Sequence, residues 1–396
     1  MKRWFTVCML LFVPLLLMAE DARYYSGNRT PISTAEYKAM KLELTESQKK
    51  LSTDLLQLID KKFIPKGTTL ENHIESMKGL KQFQSDQTGT LSINEVKKSK
   101  VYVYIKFQPD ARIDLVETLA NEITDVDSKN AMVVAWVEVG NLEKIASLEG
   151  VRTIRTVMPP IVRTGSVTTE GDAIHKTSNV RSTYSQSGSG IKVGIISDGV
   201  DTRATSQASS DLPPDGSGLT VLSNTEGGDE GTAMLEIVHD MVPAADLYFH
   251  DHGANVAAFN TAIDNLISAG CDVICDDIGW LLEPFYEDGT VGSHVASVLS
   301  ANDIIYVSSA GNAGNKHYQG DFVAKSGAPQ EHDFSAGSNQ DLYLYMPVGS
   351  SATVVFQWND QFGSSGNNYD VLLWGENQGA WVAGSQVTQD LSLIHI

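Results

Sequence analysis

Three short runs carry side chains of the kinds that acyl-transfer chemistry uses. The first, Gly190-Ile-Lys-Val-Gly-Ile-Ile-Ser-Asp198-Gly199, is an apolar strand running into Asp198. The second, Gly228-Asp-Glu230-Gly-Thr-Ala-Met234, is a glycine-rich turn that opens a helix at Glu230. The third, Asp303-Ile-Ile-Tyr-Val-Ser-Ser-Ala310, is an apolar strand ending in a Gly311-Asn312 turn. A carboxylate at a strand end can orient a base, and a second carboxylate can be the base. A side-chain amide can donate to an oxyanion. Asp277 closes a strand expected over residues 271–278 and adds a further carboxylate. Its neighbour Asp276 belongs to the other face, because side chains alternate along a strand. Each residue also has a plainer reading. Asp198 suits a turn or cap, Glu230 suits the first turn of a helix beside its dipole, and Gly-Asn is a common turn pair. Asp277 could equally be structural or a calcium ligand.

Alternating strands and helices must position these residues. Apolar runs at 191–197, 246–250, 271–278 and 304–309 read as strands, and 231–240, 256–269 and 294–301 read as helices. That alternation predicts a doubly wound parallel sheet, with ligands at the carboxyl ends of its strands. Upstream, residues 101–158 read strand, helix (113–123), strand, helix closed by Gly150, strand, which is a small α+β domain. Before it, Ser33-Thr-Ala-Glu36 has the form of a capping box, and 33–63 is helix-rich. Beyond Ser326 the pattern changes to short alternating strands with Gly, Ser and Asn turns, which predicts a β-sandwich.

In order and context the three motifs resemble those of the subtilisin-like serine peptidases. The resemblance implies that Asp198 orients the base and that Asn312 serves the oxyanion hole. Glu230 stands where that family has His. The related sedolisins use a Glu there, paired with an Asp four residues later, but this chain has Met234. The family's Gly-Thr-Ser turn bearing the nucleophile occurs nowhere in the 396 residues. Asp277 falls where the family begins its substrate-binding edge strand. A free Glu titrates near 4.3, and a second carboxylate such as Asp277 would raise that value. His239 and His250 are the other imidazoles to consider. His239 lies nine residues beyond Glu230, about 13 Å along a helix, and cannot take its place.

The resemblance also sets the expected domains. Residues 1–19 read as a signal peptide, with Lys2-Arg3 and an apolar run to Met18. A helical N-terminal extension covers 20–95 and a ferredoxin-like α+β propeptide 96–160. The N-terminal part of a subtilisin-like α/β domain covers 161–325 and a β-sandwich insert 326–390. Residues 391–396 read as an artefactual tail, and the chain as a truncated reading of a longer protein.

Charge narrows the partners. The net charge is −20. Residues 23–100 hold 14 basic and 9 acidic residues, net +5, whereas 101–396 hold 13 basic and 38 acidic, net −25. Such a body repels nucleic acid and anionic lipid, and the basic segment could dock on it. Cys271 and Cys275 stand four apart on one strand, roughly 13 Å, too far to bridge. No cofactor motif is present. Structural Ca²⁺ is conceivable near Glu283–Asp288 or Asn367–Asp370, through oxygen ligands.

The expectation is a secreted serine-type endopeptidase acting on protein or peptide substrates, with its own propeptide as partner and no membrane span. The rival is a degenerate peptidase fold used as an extracellular binding or adhesion module. A carbohydrate-surface protein is a weaker third reading.

Overall fold

The structure is a computed structural model. It describes residues 4–12, 23–25, 44–64, 68–87, 89–109, 111–158, 170–314, 317–335, 341–344, 351–376, 379–385 and 393–395. The expected capping box at Ser33–Glu36 lies outside these residues, as does the expected boundary at 160. The chain divides into two compact units. One comprises Met1–Met158, Pro284–Glu287 and Ala313–Ile396; the other comprises Pro159–Glu283 and Asp288–Asn312.

The second unit is the α/β body. In chain order its elements are β1 (Lys192–Ser197), α1 (Arg203–Ser209), β2 (Leu219–Ser223), α2 (Glu230–Met241), β3 (Asp246–Asp251), α3 (Val256–Ser268), β4 (Val273–Asp276), α4 (Thr290–Ala301) and β5 (Ile305–Ser308). Two helices, Gly171–His175 and Thr177–Tyr184, precede β1. The sheet order is β5-β4-β1-β3-β2, and every pair is parallel. The expected parallel sheet is therefore present. The sequence reading passed over α1, β2 and the two leading helices, and it drew β4 two residues too long at each end.

The pleat explains both faces. Val193 and Ile195 of β1 pack with Leu247, Phe249 and Leu235 on the α2 side. Ile196 of β1 and Ile274 of β4 pack with Phe259, Ile263 and Leu266 on the α3 side. The alternation of period 2 thus feeds two apolar layers. From β1 the chain crosses to β2 at one edge, returns to β3 beside β1, and then passes to β4 and β5 on the other side. This makes the carboxyl end of β1 the switch point at which such sheets bind ligands.

Within the first unit, strands Phe83–Gln84, Lys100–Phe107, Met132–Glu138, Glu122–Asp127 and Val151–Thr156 form one antiparallel sheet. Helices Thr53–Ile59, Leu70–Gly79, Ile93–Lys98 and Leu142–Ala146 cover it. The expectation of a helix over 113–123 is corrected. Only a single 3-10 turn forms, Ile113–Val116, and Glu122–Asp127 turns into a strand. The cause is an Asx-type turn: Asp127 accepts from the Asn130 amide at 3.0 Å and from Asn130 Nδ2 at 2.7 Å. That turn folds 122–127 back onto Met132–Glu138 as a hairpin.

The division at residue 95 is also revised. Leu55, Leu58, Ile74 and Val96 share one core with Val103, Ile105, Val133 and Ile145. The helical segment and the α+β sheet are one folded body.

The β-rich remainder of this unit has no helix among its described residues after Ser326. Strand Ser351–Trp358 centres it, and Val354, Phe356 and Trp358 pack against Tyr318, Phe322, Phe334 and Tyr369. The hairpin Val371–Gly375 with Ala380–Ser385 lies beyond it. The apolar stretch expected as a signal peptide is a strand here, Trp4–Phe12, antiparallel to both His317–Asp321 and Ser351–Trp358. Its aromatic and β-branched start suits a strand, and pairing on both sides satisfies its backbone groups. Among the described residues no helix is long and apolar enough to cross a membrane.

Candidate active site

Asp198 follows β1 directly and is half-buried. Its Oδ1 accepts from the Gly199 amide at 2.6 Å, the Glu230 amide at 2.9 Å and the Gly231 amide at 3.4 Å. The last two are orphan donors at the start of α2, where Asp229, the residue before the helix, makes no side-chain cap of its own. A carboxylate from a neighbouring strand thus caps the helix and meets the positive end of its dipole. Gly228 makes this approach possible. Its φ is +128°, and a Cβ there would lie 2.1 Å from Asp198 Oδ2.

Glu230 is the first residue of α2 and is half-buried. Its backbone is fixed by Asp198. Met234, one turn on, packs against the α2-side apolar cluster.

Asp277 follows β4, the strand adjacent to β1, and is 5% exposed. Val273 and Cys275 belong to the α2-side layer, and Ile274 and Ile278 to the α3-side layer. The alternation puts Asp277 on the side of α2 and Asp276 on the opposite side, as the sequence implied. Asp276 accepts from Ser308 Oγ and from the Ile278 amide, both at 3.0 Å. Burial first, then the charges of Asp276 and Asp277, pushes the Cys275 thiol up to about 11. Burial likewise raises the Cys271 thiol, to about 12, so neither is a reactive thiolate near neutrality.

Asn312 stands four residues beyond β5 and is exposed, after Gly311 at φ +83°. β5 lies two strands from β1, roughly 10 Å at about 4.8 Å per strand. The structure therefore joins Asp198 directly to the helix start at Glu230. It sets Asp277 at the next strand end and Asn312 one strand further along the same edge.

The sequence reading missed the carboxylates that frame this edge. Asp201 accepts from Asn224 Nδ2 at 3.0 Å and from the Gly228 amide at 3.1 Å. These two bonds hold its carboxyl below the usual range, the Gly228 amide contributing most. Asp229 accepts from the Thr202 amide at 2.9 Å, from Thr202 Oγ1, and from Thr232 Oγ1 at 2.7 Å.

Asp251, at the end of β3, is 2% exposed and accepts from Ser223 Oγ at 2.8 Å, Thr225 Oγ1 at 3.0 Å and the Thr225 amide. Burial alone would raise its carboxyl. The His250 ring and these donors outweigh burial and hold it far below the ordinary carboxylate range. Burial lowers His250, but Asp251 more than compensates and raises it. Its Nδ1 faces the Asp251 carbonyl oxygen at 2.7 Å and its Nε2 faces Asn265 Nδ2 at 3.1 Å. With both nitrogens engaged, His250 is a structural imidazole. The rule that picked out Asp198, a carboxylate closing an apolar strand, would also have found Asp251.

Near the two acidic stretches considered for calcium, Glu283 accepts from the Val291 amide at 3.0 Å. Asp360 accepts from the Asn367 amide at 2.9 Å. Among the described residues there is no cluster of three or more His, Cys, Asp or Glu with the geometry of a metal site.

No protein-family profile matches the chain, and no curated protein matches it. Solved structures similar to it include two crystal structures of the epidermin leader peptide processing serine protease (EpiP) from Staphylococcus aureus. One is at 2.05 Å resolution, and the other is of a serine-to-alanine mutant at 1.95 Å. Identities are 14% and 13%, and the TM-score is 0.34 for both. The matches cover 54% of this chain, and they span 60% and 61% of the length of those proteins. The chain is thus weakly similar in structure to a serine protease.

Proposed function

We propose that the chain is a secreted serine-type endopeptidase of the subtilisin-like clan, hydrolysing peptide bonds in proteins. Glu230 takes the place of the usual His in this reading. The observation that carries it is the bond from the Glu230 amide to Asp198 Oδ1 at the carboxyl end of the central strand. It fixes the first residue of α2 at the switch point of a parallel sheet. Glu230 is the general base and Asp198 positions it. Asn312 is the oxyanion donor, and Asp277 is the neighbouring charge that raises the base. This reading assigns no nucleophile, since the family's Gly-Thr-Ser turn does not occur in the sequence. Residues 96–160, with the helices that share their core, act as an inhibitory propeptide.

A second reading rests on the same bond. Capping a helix is a complete occupation for Asp198 Oδ1 and needs no catalysis. That favours a non-catalytic extracellular binding module on a peptidase-like fold.

Fluorophosphonate labelling and peptide hydrolysis separate the two readings. Both are measured from pH 3 to 8. The peptidase reading expects labelling of a serine and turnover, both lost in Glu230→Gln. Labelling and turnover absent at every pH, or unchanged in Glu230→Gln, count against it.

A further inference from the structure

We propose that Arg152 and Arg155 clamp the α+β domain, residues 44–158, onto the β-rich residues 313–396 by closing on the loop at 358–367. The domain then stays in place after the chain joining it to the α/β unit has been cut. This holds whether or not the chain is a peptidase. If the domain is inhibitory, a single cut does not release it.

Both arginines stand on strand Val151–Thr156. Arg152 donates through its guanidinium to the carbonyl oxygen of Gly363. Gly363 has φ +79°, and a Cβ there would lie 2.5 Å from that guanidinium nitrogen. The close approach therefore requires glycine. Arg155 lies over the ring of Phe362, 5.1 Å from its centre, and is only 6% exposed. A guanidinium so far removed from water needs partners, and a desolvated cation on an aromatic face is a strong one.

The loop is shaped independently of the arginines. Asp360 Oδ2 accepts from Ser365 Oγ at 2.7 Å, from the Asn367 amide at 2.9 Å and from Asn367 Nδ2 at 2.6 Å. Trp358 Nε1 donates to Ser365 Oγ at 2.8 Å. The Phe362 amide donates to Glu287 Oε1 at 2.7 Å, which ties the loop to Pro284–Glu287 of the same unit. A receptor already in its bound shape loses little order on docking, which favours retention.

Strands Trp4–Phe12 and Arg23–Tyr25 also join the β-rich region. The test must therefore free residues 44–158 from them as well. Protease sites are placed in 26–43 and in 159–169 of the full chain, and both are cut. Size-exclusion chromatography then follows the 44–158 fragment. In the wild type it co-elutes with the remainder, in 0.1 M and in 1 M NaCl alike. In the double variant Arg152→Ala, Phe362→Ala it separates. The release rate is roughly 30-fold higher, for one desolvated cation–π pair and one charged hydrogen bond lost.

Gly363→Ala, made alone, gives the same release. Amide-exchange protection at Val103 and Ile105 before cutting confirms that each variant is folded. Immediate separation of the wild-type fragment overturns the proposal, and so does retention in both variants. Release of the wild type in 1 M NaCl also overturns it, since general attraction between the basic segment and the acidic body would then be the cause.

Discussion

Asp198→Ala should loosen the start of α2 and leave the far end of that helix unaffected. The wild-type carboxylate accepts three backbone donors on one oxygen, at 2.6, 2.9 and 3.4 Å. The longest contributes little. Hydrogen bonds to a charged group are each worth about 1.5–3 kcal/mol. A carboxylate at a helix N-terminus adds about 0.3–1 kcal/mol. The Gly199 bond is local and partly replaceable by water. This leaves a loss of roughly 2–4 kcal/mol concentrated at Glu230 and Gly231. A chain of two compact units need not unfold in one step, so a global melting curve is a poor reporter. Amide exchange is the better assay. Protection at Glu230 and Gly231 should fall at least about 30-fold, since each 1.4 kcal/mol is tenfold. Protection at Leu235, buried in the α2-side core, should change far less. Asp198→Asn keeps one acceptor and should fall between wild type and alanine. Unchanged protection at Glu230 in Asp198→Ala would refute the assignment of Asp198 as the residue that holds the helix start.

Gly228→Ala should cost at least about 2 kcal/mol, because its Cβ falls on Asp198 Oδ2 at a φ that disfavours any side chain; amide exchange at Glu230 and Gly231 measures it. His332 should make the first unit sensitive to acid. It is enclosed by Tyr318, Phe322 and Phe334, and burial lowers it to about 4. The folded state resists the proton that the unfolded chain accepts near 6.5, so this group's contribution is present above that pH and is lost as pH falls toward 4. His332→Asn should flatten the stability slope between those values, which urea titrations at several pH values would show. In the peptidase reading, Asp277→Asn should move the rising limb of the pH–rate profile to lower pH, because a like charge beside Glu230 is removed. An unmoved limb would assign Asp277 a structural role alone.

The central strands β1 and β3 were legible because burial on both faces leaves near-continuous apolar runs. Asp276 and Asp277 could be assigned to opposite faces because side chains alternate along a strand. The helix read over 113–123 failed for a nonlocal reason. The spacing of its apolar residues permits a helix, but the Asp127–Asn130 turn commits 122–127 to a hairpin. The separation of the helical segment from the α+β sheet failed likewise. Its apolar faces carry no mark of what they will meet, and only the fold shows Leu55 and Ile145 in one core. The bond from the Glu230 amide to Asp198 was beyond reach for the same reason. Backbone donors have no residue type, so a motif that places the two residues together says nothing of which atoms touch.

That distinction bears on how a carboxylate base could work here. In a Ser-His-Asp arrangement the Asp orients the base by accepting a hydrogen bond from its ring N–H. An ionised Glu has no proton to offer, so Asp198 cannot hold it through the side chain unless the two share one. Two unprotonated carboxylates in contact would repel and raise one another's pKa. The structure avoids that geometry at Asp198 Oδ1, which is occupied by the amides of Gly199, Glu230 and Gly231. Asp198 thus acts on the main chain at Glu230 and the helix end. In the peptidase reading, Asp198 orients Glu230 through its main chain and not through its side chain. In that reading Asp277, on the α2 side of β4, is the neighbouring carboxylate that would act on Glu230.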